Sequence, residues 1–144
     1  MISLVVAVAI GCSSDATSPQ FHAFVYSAAA GGCGPAGGPI VVVFLAPVPV
    51  THLNPSPPYV HVDIPVGPSE LTAHAWPIGS NTEAGAWFQR DATTSGIAGS
   101  GSMIVNSVSA GNSIDGSLDL QFPTVGTVKN EFHAKWLSDS FYCI

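Results

Sequence analysis

Basic residues are nearly missing from this chain. Of its 144 residues only three are Lys or Arg, against nine Asp or Glu, giving a net charge of −6. The three are Arg90, Lys129 and Lys135. Nucleic-acid binding takes most of its affinity from such side chains on phosphates. Docking on anionic lipid draws on the same groups. The composition therefore excludes a nucleic-acid partner and electrostatic membrane docking as the basis of function.

Charge of either sign is scarce. Charged residues make up 8% of the chain, where an average soluble domain has roughly 25%, so the polar surface has to come from Ser, Thr, Asn and Gln. Long apolar runs are missing too: the longest, at the N-terminus, is about ten residues, short of a bilayer-spanning helix. The chain has no G-x-S-x-G nucleophile elbow and no H-E-x-x-H zinc helix. It has no C-x-x-C spacing for zinc. "SGIAGSGS" (95–102) fits neither the dinucleotide nor the phosphate-loop pattern, and reads as a hairpin connection leading into a strand. No cofactor is expected.

What is abundant is turn and strand material. Fifteen Gly and twelve Pro punctuate short apolar segments, which points to an all-β protein with few long helices. The length suits one domain with one core.

The clearest strands are C-terminal. In "SIDGSLDLQF", Ile114, Gly116, Leu118, Leu120 and Phe122 share one face, and Asp115, Ser117, Asp119 and Gln121 the other. After the "PTVGT" turn, "VKNEFHAKW" alternates again, with Val128, Phe132, Ala134 and Trp136 inside and Asn130 as the one misfit. With "GSMIVNSV" before them and "SAGN" as a turn, these form a three-strand meander with one wet face.

Upstream, 21–27, 40–46, 59–64, 70–76 and 85–90 are strand-length and rich in β-branched or aromatic residues. The expected fold is an antiparallel β-sandwich or small barrel of about eight strands. Seven prolines between Pro47 and Pro68 assign that region to edge strands and a long loop. The Ala- and Gly-rich stretch 28–39 reads as a flexible loop held by Cys33.

Two groups of side chains carry possible chemistry. His61 and Asp63 alternate on "YVHVDI" and so share a strand face, and His74 lies on a neighbouring candidate strand. Two imidazoles and a carboxylate can bind a divalent metal or act as an acid–base pair. An ordinary solvated strand face has the same pattern. Tyr59, Trp76 and Trp87 can form an apolar platform for a carbohydrate or peptide, although aromatics in β-proteins commonly fill the core.

The N-terminal "MISLVVAVAIG" has the length of a secretory apolar segment. Its last residues, Ala9, Ile10 and Gly11, lead directly into Cys12 and a polar run, which resembles a bacterial lipobox. Ala9 stands where Leu is usual, and the basic leader region is missing. An ordinary signal peptide and a buried first strand are the alternatives. On the lipobox reading, residues 1–11 are a signal peptide, 12–20 a tether and 21–144 a single β domain, with Cys12 as the lipid anchor. Lipidation would also resolve the odd count of three cysteines and leave Cys33 and Cys143 as a pair. Such a bridge would contribute about 4–5 kcal/mol in the chain-entropy model. Two unconnected buried thiols are the alternative. Asn54 precedes Pro55 and no other Asn begins a glycosylation sequon, which is compatible with bacterial export.

The stretch from Gly116 to Phe122, then Phe132 to Trp136, then Cys143 resembles a group of small bacterial lipoproteins of unassigned function. Their β domains end in a G-S-apolar-D-apolar-x-F strand, an F-x-A-x-apolar strand and a terminal cysteine. The resemblance implies a cell-envelope β domain with a terminal disulfide, and no activity comes with it. The tail between Trp136 and Cys143 is longer than in that pattern.

The expected function is that of a cell-envelope lipoprotein with a non-catalytic binding or structural β domain. Its expected partners are the membrane, through the anchor, and a carbohydrate or peptide ligand. A secreted hydrolase or metal-dependent enzyme using His61, Asp63 and His74 is the rival reading.

Overall fold

A computed structural model describes residues 24–138. Cys12, Cys143, the signal and tether segments and the first residues of the expected 21–27 strand lie outside the described residues. Within them the chain is all-β, with nine strands and no helix.

The strands are β1 (Tyr26–Cys33), β2 (Pro39–Ala46), β3 (Tyr59–Ile64), β4 (His74–Gly79) and β5 (Gly85–Gln89), then β6 (Ser95–Ile97), β7 (Ser100–Ser109), β8 (Ser113–Phe122) and β9 (Gly126–Trp136). They form one sheet in the order β4-β7-β8-β9-β1-β2-β3-β5-β6. The pairs are antiparallel except β1 with β9, where Ala28 and Ala29 run parallel to Lys135 and Trp136. The sheet is therefore mixed.

It also curls strongly into a half-barrel. β4 at one margin comes round to the segment before β5, where Ile78 forms a parallel bridge with Ala84. Phe88 of β5 meets Phe122 of β8 across the interior, ring centroids 6.1 Å apart, and Phe24 meets Phe88 at 6.4 Å.

The meander forms as its alternation dictates. Ile114, Leu118, Leu120, Phe122, Val128, Phe132 and Ala134 are buried in the core. Gly116 occupies the inner face opposite Phe132. A Cβ there would fall 2.2 Å from the Ile104 carbonyl oxygen and 2.6 Å from Phe132 Cζ. Only glycine lets the Phe132 ring lie against the strand. Asn130, the misfit, is satisfied by donating its Nδ2 proton to the Phe24 carbonyl at 2.7 Å, as a half-buried amide requires.

Three readings of the sequence are corrected. Residues 28–33 are not a flexible loop but most of β1, with Ala28, Ala29 and Ala30 fully or nearly fully buried. Only 34–38 turn, closed by Gly34 N–H to the Gly38 carbonyl and Gly37 N–H to the Gly34 carbonyl. Small side chains mark a strand pressed between neighbours here, where a composition rich in Ala and Gly suggested slack.

The proline-rich region supplies a loop at 47–58, but β3, which follows it, lies between β2 and β5 in the sheet interior. The proline that does sit in an edge strand is Pro77 of β4, paired only with β7, where a missing N–H is tolerated. Finally, 95–102 is no hairpin connection. β6 pairs with β5 and β7 with β4 and β8, so the two residues between them carry the chain from the margin strand β6 to β7, the strand next to the other margin.

Candidate functional site

The candidate site grows from the alternation of β3 and β5. Val60, Val62 and Ile64 point into the core, as do Ala86 and Phe88. Tyr59, His61, Asp63, Gly85 and Trp87 therefore stand on the outer face. Register places Phe44 opposite His61 and His61 opposite Trp87, and beyond Trp87 lies Ile97 of β6. The result is a transverse row of apolar and aromatic side chains over four adjacent strands.

The rings touch along this row. His61 and Trp87 have centroids 4.9 Å apart. Tyr59 stacks on His61 at 6.0 Å, with the planes inclined by 28°. Phe44 meets both Tyr59 and His61 edge-on at 6.1 Å. Under this cover Phe44 is only 5% exposed although it lies on the outer face. The proline-rich loop adds Leu53 and Asn54, which line a recess of about 260 Å³ with Phe44, Tyr59 and His61.

A larger groove of about 840 Å³ opens on the other side of Asp63, with Trp87, Ile97, Glu70 and Glu83 among its walls. Gly85 shapes it. Asp63 faces Gly85 across the β3–β5 ladder. The six-membered ring of Trp87 lies over the same glycine, and a Cβ there would come within 2.5 Å of Cη2. Glycine lets the indole lie low beside the Asp63 carboxylate.

Burial sets the electrostatics. The Asp63 carboxyl is pushed up to about 6 by desolvation, and the His61 imidazole is pushed down to about 4 by the same cause. Each disfavours its charged form because the aromatic row and the loop replace water around it. At neutral pH His61 is an uncharged ring. Asp63 is an anion there, with no hydrogen-bond or ion-pair partner among the described residues.

His74 and Trp76 are elsewhere. Both lie on β4, at the opposite end of the strand order from β3. They pack on each other with centroids at 4.8 Å, and Trp76 leans on the core. Its indole N–H is buried without a partner among the described residues, as is that of Trp136. The structure thus brings Tyr59, His61, Asp63 and Trp87 together and leaves His74 and Trp76 apart. Among the described residues no group of three or more His, Cys, Asp or Glu side chains is gathered to hold a metal ion. Cys33, at the end of β1, is the described member of the expected pair.

One polar constellation was not anticipated. On the outer face of the meander, Ser107 Oγ donates to Asp115 Oδ2 at 3.1 Å and His133 Nδ1 contacts Asp115 Oδ1 at 2.5 Å. The His133 contact, then Ser107, holds the Asp115 carboxyl below its usual range. Hydrolytic triads place the imidazole between hydroxyl and carboxylate. Here the carboxylate is in the middle, so His133 cannot take the Ser107 proton, and the group is a cross-strand tie.

Sequence reasoning missed Phe44, Gly85, Glu70 and Glu83 as parts of the site. The signal for Phe44 was available: "IVVVFLA" is apolar at every position, which marks a strand covered on both faces. The chain matches no family model, no curated protein and no solved structure.

Proposed function

We propose that this protein is a non-catalytic binding domain of the bacterial cell envelope, whose ligand surface is the outer face of β3 and β5. The observation that carries the reading is the aromatic row Tyr59–His61–Trp87, whose Trp87 end lines an open groove of about 840 Å³. Concave, largely apolar sites with a few placed polar groups are where ligands bind, and a carbohydrate or peptide is the ligand class that suits aromatic edges beside carboxylates. The rival enzyme reading needs His74 beside His61 and Asp63, and no contact between them supports it.

In this reading Cys12 carries the lipid that holds the domain at the membrane, as in the small lipoproteins the C-terminal pattern resembles, with simple secretion as the alternative. A Cys33–Cys143 disulfide belongs to the same reading. Its support is that Trp136 runs parallel to Ala29 and the Leu137 N–H donates to the Ala29 carbonyl at 2.7 Å. The chain thus leaves β9 alongside the strand that ends in Cys33.

The test is retention of the intact protein on insoluble peptidoglycan, chitin and cellulose, and on immobilised peptides from a protein digest, compared with Trp87→Ala. Retention lost in the variant supports the binding surface. Equal retention of both proteins, or none of the parent, refutes it. Intact mass from the membrane fraction, with and without reductant, tests the rest. An acylated species beginning at Cys12 and gaining two hydrogens on reduction is expected. An unmodified chain from Met1 with three free thiols would overturn anchor and bridge together.

A further inference from the structure

Resting on that reading of the outer face, we infer that the groove beside Trp87 receives the basic side chain of a peptide, arginine ahead of lysine, with its cation against the Asp63 carboxylate and the Trp87 ring. The juxtaposition comes from one glycine. Gly85 is the cross-strand partner of Asp63 and also lies under the Trp87 indole. A carboxylate beside a half-buried aromatic ring that lines the groove attracts a cation twice, by ion pairing and through the ring quadrupole.

The rest of the lining agrees in sign and shape. Its other ionisable side chains are Glu70 and Glu83, and it contains no Lys, Arg, His, Asn or Gln. Glu70 accepts the Gly67 N–H at 3.3 Å. The Thr82 hydroxyl is already committed to the Gly79 and Ala84 carbonyls. An oligosaccharide would find few amide or hydroxyl partners here. Pro39, Ile40 and Ile97 offer instead an apolar wall along which the aliphatic stem of a long basic side chain can lie. Guanidinium is favoured over ammonium because it is planar, stacks on indole and forks onto a carboxylate. His61 does not compete for Asp63, since burial keeps its imidazole neutral down to about pH 4. The chain's own cations are also engaged or remote. Lys129 pairs with Asp119 on the meander, Lys135 lies on β9, and Arg90 follows the far end of β5 from Gly85.

The experiment is a calorimetric titration of the full chain with tetra-arginine, tetra-lysine, tetra-glutamate and a glucosamine tetramer, at about 0.15 M salt so that long-range attraction is screened. Tetra-arginine is expected to bind one to one and more tightly than tetra-lysine, with no heat from tetra-glutamate. Asp63→Asn, nearly isosteric, should weaken tetra-arginine by about tenfold or more, and Trp87→Phe should weaken it less. Glu131→Gln removes one negative charge from the meander face and should leave the affinity unchanged. Equal losses in Asp63→Asn and Glu131→Gln would overturn the inference, because attraction would then be to net charge. Glucosamine tetramer bound as tightly as tetra-arginine would overturn the peptide assignment. If basic peptides fail while a polysaccharide is retained through Trp87, this inference falls and the proposed binding surface stands. If nothing binds, both fall.

Discussion

On the meander, β7 to β9, the outer face carries Asp115, Asp119, Lys129 and His133, and these side chains find each other across the strands. Lys129 Nζ lies 3.0 Å from Asp119 Oδ2, both well exposed, and His133 contacts Asp115. On β2, β3 and β5 the outer face carries Phe44, Tyr59, His61, Asp63 and Trp87. It holds a half-buried carboxylate that has no partner among the described residues. The same pleat and the same alternation produce both faces. The first is finished by its own cross-strand pairs and asks for nothing but water. The second covers its rings only in part, with a loop, and leaves one anion unpaired among the described residues beside an open groove. One face is internally paired, and the other is the surface proposed to bind a ligand.

Removing core from the complete side should have the largest effect. Leu120 is fully buried, and Leu120→Ala should cost about 3 kcal/mol in urea unfolding. Trp87→Ala, which empties the outer face of a half-exposed ring, should cost less than half of that. A reversed order would mean that the outer face is a second core and not a surface.

Asp63 gives the next effect, and its sign follows from its raised value. The folded state holds the proton up to about pH 6, whereas the unfolded chain releases it near 3.8. The stability that protonation brings is therefore full below pH 3.8 and is lost as the pH rises through 6. Asp63→Asn should stabilise the protein by about 1–2 kcal/mol at pH 7.5, after allowance for solvent screening, and should be neutral at pH 3.5. Thermal melts at the two pH values decide it. A destabilised variant at pH 7.5 would show that Asp63 has a partner after all.

His61 works in the opposite sense. Its lowered value adds stability that is full above pH 6.5 and is lost as the pH falls towards 4. The two slopes nearly cancel between pH 4 and 6 in the parent. His61→Phe should uncover the Asp63 slope, with stability falling as pH rises over that window, and Asp63→Asn should uncover the rising His61 slope. Parallel pH profiles for the two variants would break this pairing. The smallest effect belongs to the meander surface: Lys129→Ala should change stability by less than about 0.5 kcal/mol, since exposed pairs gain little in water.

Much of the fold was legible, for reasons that are local. Strict alternation from Ile114 to Trp136 reports a sheet with one wet face, and the meander follows it residue by residue. β1 was hidden because Ala28 to Gly32 carry almost no side chain from which to read a period. The packing that makes them strand lies in Val41, Val43 and Pro68, far along the sequence or across the sheet. The interior position of β3 was masked by the prolines before it, which shape the loop and leave the strand itself intact. Half of the site was legible in the same way. The spacing of Tyr59, His61 and Asp63 places them on one face, but only register across the β3–β5 ladder joins them to Trp87 and Gly85. His74 and Trp76 looked like neighbours in the linear order and were carried to the opposite margin by the connection 65–73, which takes the chain from β3 to β4.

Whether the two outer faces differ in function is tested by an amide and indole NMR shift map of the full chain titrated with tetra-arginine. Shifts are expected to be confined to β3, β5 and the groove walls, strongest at Asp63, Gly85 and the Trp87 indole, with Asp119 and Glu131 unmoved. Shifts centred on the meander face, or spread evenly over both, would contradict that difference.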